Sequence, residues 1–264
     1  MNYNTLFKEN KPIIGVIHLP RIKEGNEELV IKTASEEAII YSENKLDGII
    51  IENFNNKPYL KDRIPNYEKK VLTSVINEVS SITTLPIGLN VLRNDILTAL
   101  EIASNTSISF IRVNFLIGVS LAPEGLIEGA AKYLRNFEDI TSNILIFADI
   151  FTKHSLTLYP RSIYSCVHEV IDRGCADVIV VTGKLTGLPP SIKLLGKVKR
   201  ITEVPVFVGS GLNPNNLILY LLIADGAIVS SYFREGHRAG KKLVTSYVSE
   251  FMKKVLEVRK LLST

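Results

Sequence analysis

Two charged residues interrupt otherwise apolar runs of this sequence. Arg112 lies within FIRVNF, and Asp149 lies within LIFADI. A neutral polar group that is buried without a partner costs about 1–3 kcal/mol, and an unpaired charge costs more. Two interpretations therefore stay open: an ion pair inside the fold, joining Arg112 to Glu52 or Asp149, or an active site in which these side chains do acid–base chemistry.

Other charged residues stand at or just beyond the ends of similar runs. Glu52 and Asp149 each end a run and would serve as acid and base. Arg112 would orient hydroxyl groups or stabilise developing negative charge. Lys153 and His154 follow Asp149 closely and would act at the rim as an electrophile or a proton donor. The predicted catalytic residues are Glu52, Asp149, Arg112, Lys153 and His154.

Small residues mark the ends of the last two runs. Gly209-Ser210-Gly211 follows one run, and Ser230-Ser231 follows the other. Glycine lets the backbone approach an anion closely, and a helix expected to start at Asn213-Pro214 would add positive partial charge. We predict a phosphate site here, with the alternative that the glycines only make tight turns. The predicted binding residues are His18, Asn90, Asn114, Thr182, Gly183, Gly209, Ser210, Gly211, Ser230 and Ser231.

These residues do not by themselves require a cofactor. The segment TGKLTG resembles a nucleotide phosphate loop only superficially, since it lacks the G-x-x-x-x-G-K-[ST] spacing. The acidic and histidine side chains at the run ends could in principle gather a divalent metal: His18, Glu52, Asp149 and His154. No two of them are spaced as HxH or HxxxH, so we predict no dedicated metal ligand and keep a divalent metal as an open alternative.

A regular alternation of elements must position these side chains. Eight short runs rich in isoleucine and valine are typical of strands buried on both faces, because they are continuously apolar. The predicted strands are residues 13–18, 48–52, 86–91, 110–115, 144–149, 177–181, 206–208 and 226–229. Longer amphipathic stretches predict helices, such as residues 28–41 and 67–79 and a last helix over about 244–262.

Eight strand–helix pairs predict parallel strands joined by right-handed crossovers. Eight such pairs close a (β/α)8 TIM barrel, whereas an open doubly wound sheet usually has fewer strands. We therefore predict a single α/β barrel domain over residues 1–264, with residues 1–11 as a lead-in. Chemistry in such barrels sits at the C-terminal ends of the strands, where the polar residues above fall. The loop over residues 55–65 is a candidate lid.

Composition narrows the range of partners. A net charge of +4 from 31 basic and 27 acidic residues, without a dense basic cluster, predicts no nucleic-acid partner. No apolar run reaches the roughly 18 residues that span a membrane. Cys166 and Cys175 fit no metal motif, and we expect both to be buried in a cytoplasmic protein. The apolar stretch at residues 217–223 favours a homo-oligomer.

Nine segments resemble the BtpA family, also called BtpA/SgcQ. In order along residues 12–235 they are IIGVIHLP, DGIIIENF, PIGLNVLRND, FIRVNF, GLIEGAA, ADIFTKH, ADVIVVTGKLTG, PVFVGSGLNPNN and ADGAIVSSYF. The resemblance implies a phosphate-binding β/α barrel and marks the same strand-end residues. It implies no particular reaction: the family is named after a cyanobacterial factor needed for photosystem I accumulation, whereas some relatives are associated with sugar-metabolism genes. The segment RIKE after Pro20 departs from the family pattern.

Three functional hypotheses follow. The first is an enzyme that acts on a small phosphorylated metabolite, a sugar or ribosyl phosphate, by isomerase, lyase or glycosyl-transfer chemistry. The second is a non-enzymatic biogenesis or assembly factor, which the family name alone suggests. The third is a metabolite sensor that binds a phosphorylated ligand without turnover.

Overall fold

The strands of this protein close into a parallel barrel in a computed structural model that describes residues 2–152, 154–158 and 162–262. The strands in chain order are β1 (Ile13–His18), β2 (Gly48–Glu52), β3 (Ile87–Asn90), β4 (Phe110–Val113), β5 (Val119–Ala122), β6 (Gly125–Glu128), β7 (Leu145–Ile150), β8 (Leu156–Thr157), β9 (Val178–Val181), β10 (Val206–Val208) and β11 (Gly226–Val229). Among the described residues, eight parallel strands form the barrel in the order β1-β2-β3-β4-β7-β9-β10-β11, and β11 returns to β1. The predicted (β/α)8 TIM barrel is confirmed.

The helices in chain order are α1 (Tyr3–Leu6), α2 (Glu27–Glu43), α3 (Asn66–Ile82), α4 (Ile96–Ala103), α5 (Glu138–Thr141), α6 (Ile163–Asp172), α7 (Ile192–Lys199), α8 (Leu217–Leu221) and α9 (Thr245–Leu262). Most of the helices pack one face against the outside of the barrel, whereas α1 and α5 have no buried residues. The helix starts follow local chemistry, since the Asp95 carboxylate accepts the Thr98 amide hydrogen at 3.0 Å and so caps α4.

Two local predictions were wrong. Helix α8 begins at Leu217 rather than at Asn213-Pro214, because the Asn213 side chain accepts the amides of Asn215 and Asn216 in a turn. Cys166 is half-buried and Cys175 is exposed, although burial of both was expected; Cys175 lies beyond the end of α6, where the chain turns at the surface. No helix in the described part of the chain is long and apolar enough to cross a membrane.

A small antiparallel sheet replaces the simple helical crossover expected between β4 and β7. Strands β5 and β6 form a hairpin, and β8 adds to it after β7 in the order β6-β5-β8. Leu126, Leu121 and Leu156 stand side by side across these strands and are 48–65% exposed, while Ser120 and Ile127 face inward. We call the three exposed side chains the leucine row.

The barrel interior is apolar at its N-terminal end. Phe110, Phe147 and Phe207 point inward there, and the Phe110 and Phe147 rings lie 4.6 Å apart. Phe7 is only 5% exposed and contacts all three rings, while Tyr3 from α1 packs edge-on against Phe207. The first residues, expected only to lead into the barrel, therefore plug its bottom.

Candidate functional site

A cavity with a volume of about 230 Å³ opens at the C-terminal ends of the barrel strands. Its floor includes Val16 and Ile228, which belong to the apolar interior. Polar residues stand above them, two positions later on the same strands: His18 follows Val16, and Ser230 follows Ile228. Residues i and i+2 of a strand face the same side of the sheet, so both members of each pair point into the barrel. The inward residues are therefore apolar at one level and polar at the next level toward the mouth.

The same step places the other site residues. Glu52 follows Ile50, Arg112 follows Phe110, and Asp149 follows Phe147. The predicted residues that line this cavity are His18, Glu52, Arg112, Asn114, Asp149, His154, Gly209, Ser210, Gly211, Ser230 and Ser231. Their convergence needs the closed barrel, because the strands that carry them are far apart in the sequence.

Glu52 is a buried carboxylate held by two neutral donors. The Asn90 amide donates to Glu52 Oε1 at 2.5 Å, and His18 Nε2 lies 3.3 Å from Oε2. Burial works to raise the pKa of Glu52, but the hydrogen bond from His18, the nearby positive charge of Arg112 and the Asn90 bond together lower the pKa. Glu52 is therefore ionised at neutral pH.

His18 is fixed on several sides. Its ring stacks on Phe54 with centroids 4.1 Å apart, and its Nδ1 accepts the Gly240 amide hydrogen at 2.9 Å. Burial lowers the pKa of His18, against the opposing effect of Glu52. Ser230 Oγ lies 3.4 Å from both ring nitrogens, a position over the ring rather than in the plane of a nitrogen lone pair. These contacts do not form a serine–histidine–carboxylate triad.

Arg112 and Asp149 form the ion pair that the sequence left as one of two interpretations. Arg112 Nε and Nη2 donate to the two Asp149 oxygens at 2.9 and 3.0 Å, and the Asn114 amide adds a third bond of 3.0 Å. Burial favours a lower pKa for Arg112, but the Asp149 carboxylate raises the pKa above its ordinary value. Within the described part of the chain, the buried Asn114 Oδ1 has no hydrogen-bond partner, although other atoms of Asn114 line the cavity wall.

The glycine and serine residues form one side of the cavity. A side chain on Gly209 would come within 2.7 Å of Val180 and Thr182 and within 3.4 Å of Arg112 Nη2. Gly211 has φ of +76° and its missing Cβ would stand 2.1 Å from the Pro189 nitrogen. Glycine is therefore required at both positions by the close approach of neighbouring chain.

Some expected site residues have other places. Asn90 stands behind Glu52, and Thr182 and Gly183 do not line the cavity: Thr182 is 3% exposed and Gly183 packs against the Leu188 carbonyl. The loop beyond them supplies Thr186 and Gly187 to the wall instead. Lys153 lies outside the described residues.

His154 lines the cavity from an exposed position, with Nε2 3.3 Å from Thr186 Oγ1. Among the residues that the structure describes, no three histidine, cysteine, aspartate or glutamate side chains come together as a metal site. The contact between His154 and Thr186 links two loops at the rim of the cavity.

Several lining residues escaped the sequence analysis because they come from loops. Lys57 and Tyr59 belong to the loop predicted as a lid, and the Tyr59 hydroxyl donates to the Phe54 carbonyl at 2.7 Å. Arg93 and Glu124 face each other with 3.5 Å between Nε and Oε2, and Glu124 stands at the tip of the β5–β6 hairpin. Only the position of residues 55–65 after a strand end gave a usable signal.

Comparison with known proteins gives one family and one fold. A sequence model of the BtpA family matches residues 9–257. An uncharacterised protein of Pyrococcus horikoshii is 37% identical over 95% of this chain and 98% of its own length. The photosystem I biogenesis protein BtpA of Synechocystis is 35% identical over 95% of this chain and 90% of its own length. Thiamine phosphate pyrophosphorylase from Pyrococcus furiosus has a similar fold, with a TM-score of 0.58, 15% identity and coverage of 94% and 96%.

Proposed function

This chain belongs to the BtpA family, and we propose that it is an enzyme that transfers a proton on a small phosphorylated metabolite, a sugar or ribosyl phosphate. One observation carries the proposal: the same cavity has a glycine–serine wall, formed by the residues after β10 and β11, and a buried, ionised carboxylate at Glu52. The first feature suits an anionic group, and the second suits a proton acceptor.

The phosphate would bind at the wall formed by residues 209–211 and 230–231. Loops after the last two strands are the usual phosphate site of (β/α)8 barrels. Arg112 Nη2 stands 3.4 Å from where a Gly209 side chain would begin, so the guanidinium lies beside this wall and would contribute positive charge to it. The thiamine phosphate pyrophosphorylase of similar fold is itself named for a phosphorylated compound.

The reacting end of the substrate would lie between Glu52 and the Arg112–Asp149 pair. Glu52 would accept the proton, since it is ionised and lines the cavity, and the His18 and Asn90 donors would hold its carboxylate in position. Arg112 would stabilise negative charge that develops on the substrate, and Asp149 would hold Arg112 and Asn114 in place.

A thermal-shift experiment tests the phosphate site. The wild type is compared with Ser231→Asp and with Ser231→Asn, which has the same shape without the charge. A ligand at one hundred times its Kd adds about 2.7 kcal/mol of stability, and we expect inorganic phosphate or a sugar phosphate to raise the Tm of the wild type and Ser231→Asn. Ser231→Asp should lose the shift through charge repulsion. Equal shifts in both variants, or none from any phosphorylated compound, would refute the site.

A second candidate function, protein assembly, is favoured by the leucine row. Its exposed apolar surface suits contact with another protein, and the Synechocystis relative is named a biogenesis protein. This function predicts a protein partner whose capture survives Asp149→Asn but is lost in Leu121→Lys. Loss of capture in Asp149→Asn alone would link the partner to the cavity instead.

A further inference from the structure

The loop between β11 and α9, residues 234–243, is anchored by a buried ion pair. Arg234 is 1% exposed, and its two terminal nitrogens donate to the two carboxylate oxygens of Glu37 on α2. The same guanidinium donates to the carbonyl of Val16 at 2.6 Å and to that of Lys241 at 3.1 Å. Arg234 thus joins the loop to β1, the strand that carries His18.

Gly240 is the point where this loop contacts the site. Its amide donates to His18 Nδ1 at 2.9 Å, and its φ is +81°. A Cβ at this position would stand 2.7 Å from Asn55 Oδ1 and 3.0 Å from the Phe54 ring. The amide can therefore reach the imidazole only while residue 240 has no side chain and the loop keeps its place.

The hydrogen bond from Gly240 decides which tautomer His18 adopts. A neutral imidazole has one nitrogen that donates and one that accepts. Because Nδ1 accepts the amide hydrogen, Nε2 carries the proton and donates it toward Glu52 Oε2, 3.3 Å away. In the other tautomer the proton is on Nδ1, and it would point at the amide hydrogen of Gly240. The unprotonated Nε2 would then direct its lone pair at the negatively charged Glu52 carboxylate.

We propose that Arg234 and Glu37 are positioning residues, which hold the Gly240 amide on His18 and so fix His18 as the Nε2–H donor to Glu52. His18 is then a permanent hydrogen-bond donor, and it does not carry the transferred proton. The importance of this arrangement for catalysis rests on the proposed role of Glu52, whereas the assignment of the His18 tautomer does not depend on that role.

Nitrogen-15 NMR of the histidine side chains tests the proposal without a substrate. The His18 signal is identified by its absence in His18→Gln, and the spectra are recorded at neutral pH. In the wild type we expect an unprotonated Nδ1 and a protonated Nε2. Gly240→Ala should shift both signals toward each other as the second tautomer becomes populated.

Gly236→Ala is the matched control, because Gly236 is a second positive-φ glycine of the same loop whose Cβ would contact only the Arg238 side chain, at 3.8 Å. It should leave both signals unchanged. Glu37→Gln removes the charge of the anchor but keeps its shape, and it should move the signals as Gly240→Ala does.

A protonated Nδ1 in the wild type, or signals in Gly240→Ala identical to those of Gly236→Ala, would overturn the proposal. Unchanged signals in a folded Glu37→Gln variant would show that the Arg234–Glu37 ion pair does not position the Gly240 amide. The proposed function can be refuted separately. If the expected tautomer is found but no phosphorylated compound raises the Tm, the proposed enzyme function is refuted and the proposed positioning of His18 is retained.

Discussion

The bottom and the mouth of this barrel are built from the same strands, yet their interiors have opposite chemistry. At the bottom, Phe110 and Phe147 pack ring against ring and exclude water. Two residues further along the same strands, Arg112 and Asp149 face each other as an ion pair. The rings gain stability from burial, whereas each buried charge loses its hydration and recovers only part of that cost from its partner.

This difference indicates that the bottom of the barrel contributes mainly to stability and the mouth mainly to ligand binding. A barrel selected for stability alone would continue the aromatic layer upward, because a well-packed apolar group of similar size is as stable as a buried ion pair or more so. The polar layer instead coincides with the cavity, where a ligand can meet its charges. We therefore expect changes at the bottom to unfold the protein and changes at the mouth to impair ligand binding.

Phe147→Ala should have the largest effect on stability. The ring is fully buried and contacts Phe7, Phe110 and Phe207, so its loss leaves a cavity that these large rings cannot close. We expect about 3–5 kcal/mol of destabilisation in urea unfolding, with phosphate affinity unchanged in the folded fraction. A loss below about 1 kcal/mol would mean that the bottom repacks and that the contrast with the mouth is overstated.

Asp149→Leu should come second, with about 3 kcal/mol lost because Arg112 keeps a buried charge without its partner. Adding Arg112→Met should restore most of that stability, since the pair is then replaced by apolar groups. Urea unfolding of both single variants and the double variant gives the coupling energy. We expect the restored double variant to have no phosphate response in thermal shift. A double variant less stable than Asp149→Leu would show that Arg112 stabilises the fold through contacts other than its bonds to Asp149, and would contradict the expected cost of an unpaired charge.

The smallest effect concerns pH and His18. An unfolded histidine has a pKa of about 6.5, and burial lowers the pKa of His18 in the fold. As the pH falls through 6.5, the unfolded chain therefore binds a proton that the folded protein does not, and stability declines until the pH reaches the lowered folded pKa. The limiting slope is about 1.4 kcal/mol per pH unit.

Urea unfolding of the wild type and His18→Gln between pH 7.5 and 5.5 measures this contribution. The wild type should lose about 1 kcal/mol more than the variant over that interval. Glu52 contributes little there, because its pKa is already below the ordinary value and its stabilising effect is lost only under more acidic conditions. Parallel pH dependences of the two proteins would show that His18 is not kept neutral by the fold.

The barrel could be predicted because its strands carry a strong local signal. Runs such as IIGVIH and LIFADI are apolar on both faces, which only a covered parallel sheet explains. The inward position of His18, Glu52 and Asp149 follows from the two-residue repeat of each strand. The resemblance to the BtpA family pointed to the same strand ends, and the family match supports it.

Other parts had no such signal. The leucine row places apolar residues outward and Ser120 inward, so the β5–β6 hairpin reverses the pattern by which a half-buried strand is recognised. Gly240 lies far along the sequence from His18, and its amide carries no side chain to suggest the contact. Thr182 follows the end of β9 as expected, but its side chain is buried and Gly183 packs against Leu188, so this loop reaches the cavity wall only at Thr186 and Gly187.

The aromatic plug at the bottom also bears on how the chain reaches this structure. The Phe7 ring packs against Phe207, which is synthesised much later, and β1 pairs with β11 near the other end of the chain. Contacts between such distant positions slow folding, because a long loop must be ordered before they can form. The contact between Phe7 and Phe207 therefore cannot form until residue 207 has been synthesised.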